Sequence, residues 1–313
     1  MFDRTRMIRA GARVLSPLLK MAESRIYSSV GTTESSGHFP VFILGAPRTG
    51  STVLYQMLTD FCDCLYIDNL VYAFSNDLPF GFWLSNRWYG NRGHNSFQST
   101  YGRTKSLHSP SECGAFWYRW FPRDRDFVER HEIDDASVDQ MRKNLYTVMN
   151  HFQKSIVIKN LNAGQRLRVL GPAFPKSRFV FIRRDPFFTI QSLLRARQSQ
   201  GMKEERWWSV RPKNFEELKS KPLIEKLTGQ VFFLEKQIVE DLAKLPDERV
   251  FRITYSRYEQ QFPELLNFLK LPERKEFDLS EFNFQNKISV SEPEEKSIRD
   301  ALNAYDWSAL GYE

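Results

Sequence analysis

One stretch decides the fold: Phe39-Pro40-Val41-Phe42-Ile43-Leu44-Gly45-Ala46-Pro47-Arg48-Thr49-Gly50-Ser51-Thr52. Its first six residues are almost continuously apolar and run into a glycine, a pattern typical of a strand that is buried on both faces. From about residue 51 to 61 the apolar residues recur at helical spacing, which predicts a helix directly after the loop. A buried strand, a loop with two glycines and a helix, in this order, predict an α/β core.

The same alternation continues outward along the chain. Further strands are predicted at residues 65–67, 155–159, 178–184 and 250–253. Helices are predicted at 186–199, 223–244 and 259–269, with a last helix opened by the capping box at 291–294. Strands that alternate with helices predict a parallel sheet covered by helices on both faces.

The domain organisation follows from these elements. Residues 39–313 are predicted to form one domain, with an aromatic-rich insertion or lid at about 70–135 that lacks clear periodicity. Residues 1–38 are predicted to be a helical extension, because Ile8, Leu15, Leu18 and Leu19 recur at helical spacing among basic residues. This extension is open to three interpretations: a helix packed on the domain, a membrane-surface helix with peripheral contact, or a transit-like segment.

Composition limits the choice of partners. The net charge of +7 favours an anionic partner, such as nucleic acid, an anionic membrane or a multiply phosphorylated ligand. The basic residues are dispersed, and no zinc-finger spacing or RNA-binding signature occurs, so nucleic acid is disfavoured. Three cysteines are a poor disulfide framework, and no glycosylation sequon and no run of about 20 apolar residues is present. We therefore expect a cytoplasmic protein without a transmembrane segment; the sequence says nothing about its oligomeric state.

The loop after the first strand has the features of a phosphate-binding loop. Successive backbone N–H groups between Gly45 and Gly50, together with the positive end of the following helix, suit an anion. A nucleotide triphosphatase would carry lysine directly after the second glycine, but Ser51 stands there and the positive charge is at Arg48. The loop therefore predicts a phosphorylated ligand other than ordinary ATP.

At this loop the chain resembles the superfamily of sulfotransferases that use 3′-phosphoadenosine 5′-phosphosulfate (PAPS). The similarity is strongest to the bacterial branch and to the carbohydrate and tyrosylprotein branches, which carry Pro-Arg in this loop. The resemblance implies a core like that of P-loop nucleotide triphosphatases and a reaction that requires no metal. It also implies that the 5′-phosphosulfate is bound by Arg48, Thr49, Gly50, Ser51 and Thr52.

The family's second signature is an arginine at a strand end and a serine eight residues later, which bind the 3′-phosphate. Arg184 and Ser192 have this spacing, and a guanidinium, a hydroxyl and a helix N-terminus together suit a phosphate. Arg183 is an alternative for the arginine. The family often has aspartate four residues after the arginine, where this chain has Phe188, so the packing there is expected to differ. The C-terminal Arg-Lys-Gly element of the cytosolic relatives is absent here, and Asn286 and Lys287 are the candidates for nucleotide contacts in this segment.

The resemblance also places Lys159 near the transferred group, where it and Arg48 could hold charge on the leaving phosphate. Cytosolic relatives have a histidine as the base where this chain has Leu161, so another residue must act as the base here. Three candidates are Glu112, His108 and Asp68, in that order. Glu112 has an equally plausible role in a capping box over residues 109–112.

We therefore predict transfer of a sulfuryl group from PAPS to a hydroxyl or amine of a small-molecule or carbohydrate acceptor. Two alternatives stay open. One is a P-loop kinase or nucleotide triphosphatase, which the missing lysine disfavours. The other is a non-catalytic nucleotide- or nucleic-acid-binding protein, for which interleaved aromatic and basic residues could stack bases: Trp117, Arg119, Trp120, Arg123 and Arg125.

Overall fold

A five-stranded parallel sheet is the centre of the structure, a computed structural model that describes residues 2–34, 37–90, 92–94, 96–100, 102–276, 278–279, 282, 284 and 286–312, with side chains from Met7 onward. Its strand order is β2-β5-β1-β6-β7, and a separate hairpin is formed by β3 and β4. In chain order the strands are β1 (Pro40–Leu44), β2 (Leu65–Tyr66), β3 (Ser99–Thr100), β4 (Arg103–Thr104), β5 (Ile156–Lys159), β6 (Arg178–Arg183) and β7 (Val250–Thr254).

Helices fill both faces of this sheet and the segments between its strands. In chain order they are α1 (Phe2–Ile26), α2 (Ser51–Phe61), α3 (Asn69–Ala73), α4 (Leu78–Tyr89), α5 (Gly114–Trp117), α6 (Asp135–Phe152), α7 (Leu167–Ala173), α8 (Pro186–Ser199), α9 (Phe215–Leu218), α10 (Leu223–Leu242), α11 (Tyr258–Leu269) and α12 (Glu292–Leu302). Short 3-10 turns connect several of them.

The apolar strands explain why two cores form. Successive side chains of a strand point to opposite faces, so a strand without polar residues must be covered twice. Phe42 and Leu44 of β1 pack in a core with α5, α6, α7 and part of α10, whereas Val41 and Ile43 pack in a second core with α2 and α11. The predicted α/β fold with a parallel sheet covered on both faces is therefore confirmed.

The aromatic-rich segment at 70–135 contributes directly to the first core. Phe82, Phe116, Trp117 and Phe121 are all buried there. Trp117 is therefore not exposed for base stacking, and the guanidinium of Arg119 stacks on Phe116 and on the neighbouring Trp120. The aromatic residues of this segment mainly anchor it to the sheet.

Helix α1 lies against α3 and α4. The Arg9 guanidinium donates to the Tyr72 hydroxyl at 2.9 Å, and the Ser16 hydroxyl donates to the Asp77 carboxylate at 2.9 Å. The Tyr27 hydroxyl donates to the Pro79 carbonyl at 2.8 Å. Within the described residues, no helix has both the length and the apolar character needed to cross a membrane.

Candidate active site

The candidate site lies at the carboxyl ends of the parallel strands. The loop at 45–50 follows β1, Lys159 is the last residue of β5, and Arg184 and Tyr255 come directly after β6 and β7. The strand β1 lies between β5 and β6, with Ile43 paired to Lys159. In open parallel sheets, ligands bind outside the carboxyl ends of the strands. The binding crevice lies where the chain connections from adjacent strands run in opposite directions along the sheet.

The loop after β1 is shaped by two residues in the left-handed region. Arg48 has φ of 72° and Gly50 has φ of 93°. For arginine this conformation costs about 1 kcal/mol, so surrounding contacts must hold it. One such contact is made by Thr49, whose buried hydroxyl donates to the Ala46 carbonyl at 2.9 Å. The Thr49 side chain thus closes the loop, and left-handed turns of this type direct backbone N–H groups toward an anion.

Glycine is required at position 50 for a second reason. A Cβ atom at Gly50 would lie 2.5 Å from the Tyr255 ring, closer than side-chain carbons approach. The hydroxyl of Tyr258 donates to the Gly50 carbonyl at 3.4 Å. The loop is therefore held from the far side by the two tyrosines that follow β7.

The two predicted phosphate signatures meet in space. The Arg48 Nε donates to the Ser192 hydroxyl on α8 at 3.0 Å, and Arg184 Nη1 lies 3.5 Å from the Arg48 carbonyl oxygen. Arg184 Nε also donates to the Asn286 side chain at 2.9 Å. Two motifs more than 130 residues apart in sequence thus form one cationic surface.

The structure separates the two arginines at the end of β6. The Arg184 guanidinium stacks over the Tyr255 ring at 4.5 Å beside the loop. Burial lowers the pKa of Arg184 from its ordinary value, since a cation removed from water is destabilised. Arg183 instead lies 3.6 Å from the buried Glu235 carboxylate and stacks on the Tyr312 ring. Arg184 is therefore the arginine that faces the loop.

The first turn of α8 has its own cap. The Asp185 carboxylate accepts from the N–H groups of Phe187 at 2.9 Å and Phe188 at 3.4 Å. The N-terminus of α8 is thus bonded by its own aspartate, so its dipole adds less to anion binding than the sequence predicts. Further along α8, the Gln191 side chain donates to the Lys287 carbonyl, which holds the segment from residue 286 beside this helix.

A second cluster lies at the end of β5. Lys159 pairs with the Glu112 carboxylate, and its Nζ donates to the Thr52 hydroxyl at 3.3 Å. The Lys159 side chain is 2% exposed and that of Glu112 is 32% exposed, so the carboxylate is the partner that solvent can reach. The Leu161 N–H also points to Glu112 Oε2, at 3.5 Å. Lys159 therefore contacts both a carboxylate and the Thr52 hydroxyl in the first turn of α2.

The alternative role of Glu112 in a capping box is wrong. The nearest helix, α5, begins at Gly114, and its N-cap residue is Cys113. No side chain caps it. Residues 109–112 are not helical: Pro110 forms an isolated bridge with Asp68, and the Ser111 N–H bonds to the Ile67 carbonyl.

The turn between β3 and β4 covers this second cluster. A Cβ atom built on Gly102 would lie 3.5 Å from Glu112 Oε1, 3.6 Å from Thr52 Oγ1 and 3.9 Å from Lys159 Nζ. Gly102 has φ of 82°, which favours glycine. The Gly102 backbone therefore forms part of one wall of the space in front of the ion pair.

The other two candidate bases lie in a neighbouring cluster. His108 Nδ1 is 3.1 Å from the Asp68 carboxylate, and the imidazole stacks on Tyr89 at 4.1 Å between ring centres. Asp68 also caps α3 through the Val71 N–H and accepts from the Ser85 hydroxyl at 2.6 Å. These contacts tie both side chains to α3 and α4. In the part of the chain that the structure describes, no group of three His, Cys, Asp or Glu side chains is placed to hold a metal ion.

Sequence reasoning missed two residues of the site. Tyr255 follows the predicted strand at 250–253, so its position at the strand end could be predicted. Nothing in the local sequence indicates that it stacks on Arg184. Gly102 lies in a segment without periodicity, and its proximity to Glu112 depends on the hairpin. Asn286, a candidate for nucleotide contacts from the sequence, contacts Arg184.

Comparison with known proteins identifies the family of this chain. The model of the sulfotransferase family matches residues 40–274, a span that contains the loop, Glu112, Lys159 and Arg184. None of the curated protein sequences compared with the chain matches it.

Solved structures of bacterial sulfotransferases resemble this fold. For the sulfotransferase STF1 from Mycobacterium tuberculosis H37Rv the TM-score is 0.50 at 13% identity, over 98% of this chain and 82% of that one. For STF9 from Mycobacterium avium the values are 0.48 and 13%, over 87% and 69%. For a sulfotransferase from Alicyclobacillus acidocaldarius they are 0.44 and 15%, over 87% and 98%. At such identities the likeness concerns the fold alone, whereas the family match covers more than half of the sequence. The chain therefore belongs to the sulfotransferase family.

Proposed function

We propose that this enzyme transfers a sulfuryl group from PAPS to a hydroxyl or amine of a small-molecule or carbohydrate acceptor. The observation that carries the proposal is the meeting of Arg48, Ser192 and Arg184 beside the Glu112–Lys159 pair. Sulfuryl transfer from PAPS needs residues that bind two phosphate positions and a base next to the transferred group. Candidates for both roles lie at the carboxyl ends of the strands of the same sheet.

The donor side has the right chemistry for a doubly phosphorylated nucleotide. Arg184 is partly buried and stacked on Tyr255, so an anion would offset the cost of its desolvation. The Ser192 hydroxyl can add a neutral donor from α8. The loop at 45–50 offers backbone N–H groups to an anion. We assign Arg184 and Ser192 to the 3′-phosphate and residues 48–52 to the 5′-phosphosulfate.

Each step of the transfer then has a group in this chain. The donor supplies a sulfuryl group on a phosphate leaving group. The Glu112 carboxylate takes the proton of the acceptor hydroxyl or amine as its oxygen or nitrogen bonds to sulfur. Arg48, the loop N–H groups and Lys159 stabilise the negative charge left on the phosphate oxygen. Lys159 contacts both Glu112 and Thr52, so it also holds the base next to the loop.

Label transfer tests the reaction as a whole. The full chain is incubated with sulfur-labelled PAPS and a small-molecule cell extract, and labelled products are identified by mass. We expect a labelled acceptor and tight binding of adenosine 3′,5′-bisphosphate. Turnover of Mg-ATP, with no labelled product, would replace the proposal by a kinase or nucleotide triphosphatase.

Arg184→Ala tests the assignment of the 3′-phosphate. We expect the affinity for adenosine 3′,5′-bisphosphate to fall by about tenfold to a hundredfold, because a charge-assisted bond to phosphate is lost. The affinity for adenosine 5′-monophosphate, which lacks that phosphate, should not change. Calorimetric titration measures both, and Arg252→Ala, which removes an exposed arginine from β7, is the matched control. An equal loss for both nucleotides would exclude this role for Arg184.

A further inference from the structure

The outer face of α1 exposes an unusual amount of apolar surface. Five large apolar side chains there are between 50% and 80% exposed: Met7, Val14, Leu15, Leu18 and Met21. In the rest of the described chain, only Trp88 and Ile288 belong to the same class. A contiguous exposed patch of this kind indicates an interaction site, whereas scattered exposed apolar residues do not.

Four of these side chains form a stripe opposite the packed face of the helix. Positions 7, 14, 18 and 21 recur at intervals of seven, four and three residues, which places them on one side of an α-helix. The other side carries the buried Ala12 and Ser16, which donates to Asp77. Near the end of α1, the Glu23 carboxylate accepts from the Phe80 N–H at 2.9 Å. The helix is thus fixed to the domain with its apolar stripe facing outward.

The exposed charges that the structure describes on α1 all have the same sign. From Met7 onward, its exposed charged residues are Arg13, Lys20 and Arg25, and all three are basic. The single acidic residue of this stretch, Glu23, is turned toward α4, and burial raises its pKa to about 7. The outward surface therefore combines apolar side chains with positive charge only.

We propose that α1 docks the enzyme on the surface of an anionic lipid bilayer. The stripe enters the boundary between headgroups and acyl chains, and Arg13, Lys20 and Arg25 contact the anionic headgroups. Val14, Leu18 and Met21 supply apolar area, and the helix lies in the plane of the surface. This inference is independent of the donor and the acceptor in the sulfuryl transfer.

Charge argues for a bilayer over a second copy of this chain. A symmetric pair through the stripe would bring the same basic side chains of two molecules together, each with a net charge of +7. Like charges at such an interface are unfavourable. An anionic bilayer instead offers apolar depth and opposite charge at once.

Cosedimentation with vesicles tests this proposal. The full chain is mixed with vesicles of phosphatidylcholine alone or of phosphatidylcholine with phosphatidylglycerol. We expect binding to the mixed vesicles that weakens as salt is added. Val14→Ser/Leu18→Ser should lower the partition coefficient by about tenfold, since apolar burial supports the binding. Both changes are at exposed positions, and unchanged binding of adenosine 3′,5′-bisphosphate verifies the fold.

Two double variants that remove the same net charge test whether binding depends on where the charge is lost. Arg13→Gln/Lys20→Gln should remove most of the preference for mixed vesicles. Lys236→Gln/Lys296→Gln removes the same charge from α10 and α12 and should bind as the parent protein does.

Four results would overturn the proposal. They are no binding of the parent protein to mixed vesicles, equal binding to both kinds of vesicle, undiminished binding by Val14→Ser/Leu18→Ser, and equal effects of the two charge pairs. A dimer in sedimentation equilibrium that Val14→Ser/Leu18→Ser converts to monomer would assign the stripe to a second copy instead.

Discussion

The two halves of the site are built in different ways. The proposed donor side, which we define as residues 45–52 with Arg184 and Ser192, consists of backbone turns and short motifs at strand ends. The proposed acceptor side, defined as Gly102, Glu112 and Lys159, is assembled from residues that meet only after folding. Glu112 and Lys159 are 47 residues apart, and they come from a loop and a strand.

This difference has a physical origin. The ends of buried parallel strands are fixed by the sheet, so a loop that follows β1 needs only the right dihedral angles to form an anion site. The segment that carries Glu112 is anchored instead by aromatic residues such as Trp117 in the first core. Changes on the donor side should therefore alter nucleotide affinity, and changes on the acceptor side should alter turnover or the acceptor KM.

The largest effect is expected for Glu112→Gln. Turnover should fall by about a hundredfold or more, because glutamine cannot take the acceptor proton. The affinity for adenosine 3′,5′-bisphosphate should stay the same, since Glu112 lies outside the donor side. Steady-state rates with labelled donor, together with calorimetry, measure the two quantities separately.

His108→Gln is the comparison variant for this prediction, because it removes the next candidate base. Its contact with Asp68 and its stacking on Tyr89 would be weakened, so a lower melting temperature is expected, with turnover affected less than in Glu112→Gln. The opposite order of turnover would assign the base to His108.

The same contrast explains how much the sequence could predict. The apolar run before Gly45 and the Arg184–Ser192 spacing each lie within a short stretch of sequence. The sheet and the two phosphate-binding motifs could therefore be predicted from local patterns. The proximity of Gly102 to Glu112 depends on how a hairpin without periodicity folds, and no local pattern encodes it. The capping box at 109–112 was wrong for a related reason: the residues suit a helix start, but the Ser111 N–H bonds to the Ile67 carbonyl, and the nearest helix begins only at Gly114.

The second prediction concerns the buried network beneath the donor side. Burial raises the pKa of Glu235 from 4.5 to about 7, although Arg183 and the Tyr312 hydroxyl partly offset this. In the unfolded chain Glu235 ionises near pH 4.5, whereas in the folded protein it holds its proton to about pH 7. The free energy of unfolding should therefore fall as pH rises through this window, by about 2 kcal/mol between pH 5 and pH 7.

Glu235→Gln isolates this contribution, because it removes the titrating group and keeps the shape. Urea unfolding at pH 5 and pH 7 should show that the parent protein loses more stability than the variant over this range. Glu23, whose pKa is also raised to about 7, titrates in both proteins and cancels in the difference. Parallel pH profiles would mean that Glu235 ionises normally in the folded protein.

The third prediction tests the backbone of the donor side. Gly50→Ala places a Cβ atom against the Tyr255 ring and keeps φ at 93°, so the loop must shift. We expect affinity for adenosine 3′,5′-bisphosphate to fall by about tenfold, which corresponds to 1–2 kcal/mol of strain. Gly201→Ala, at φ of 58° with no atom within 4 Å, is the control for left-handed strain without a clash. Equal nucleotide affinities in the two variants would show that the donor loop tolerates the shift.

The smallest effect, and the sharpest for the acceptor side, is expected for Gly102→Ala. The added methyl group would lie 3.5 Å from Glu112 Oε1 and 3.6 Å from Thr52 Oγ1, an ordinary contact distance. It therefore occupies space in front of the base without displacing it, and the acceptor KM should rise by about threefold. Nucleotide affinity should be unchanged, and Gly201→Ala again controls for left-handed strain. A change in nucleotide affinity with a constant acceptor KM would mean that the β3–β4 turn belongs to the donor side, and the division between the two halves would have to be redrawn.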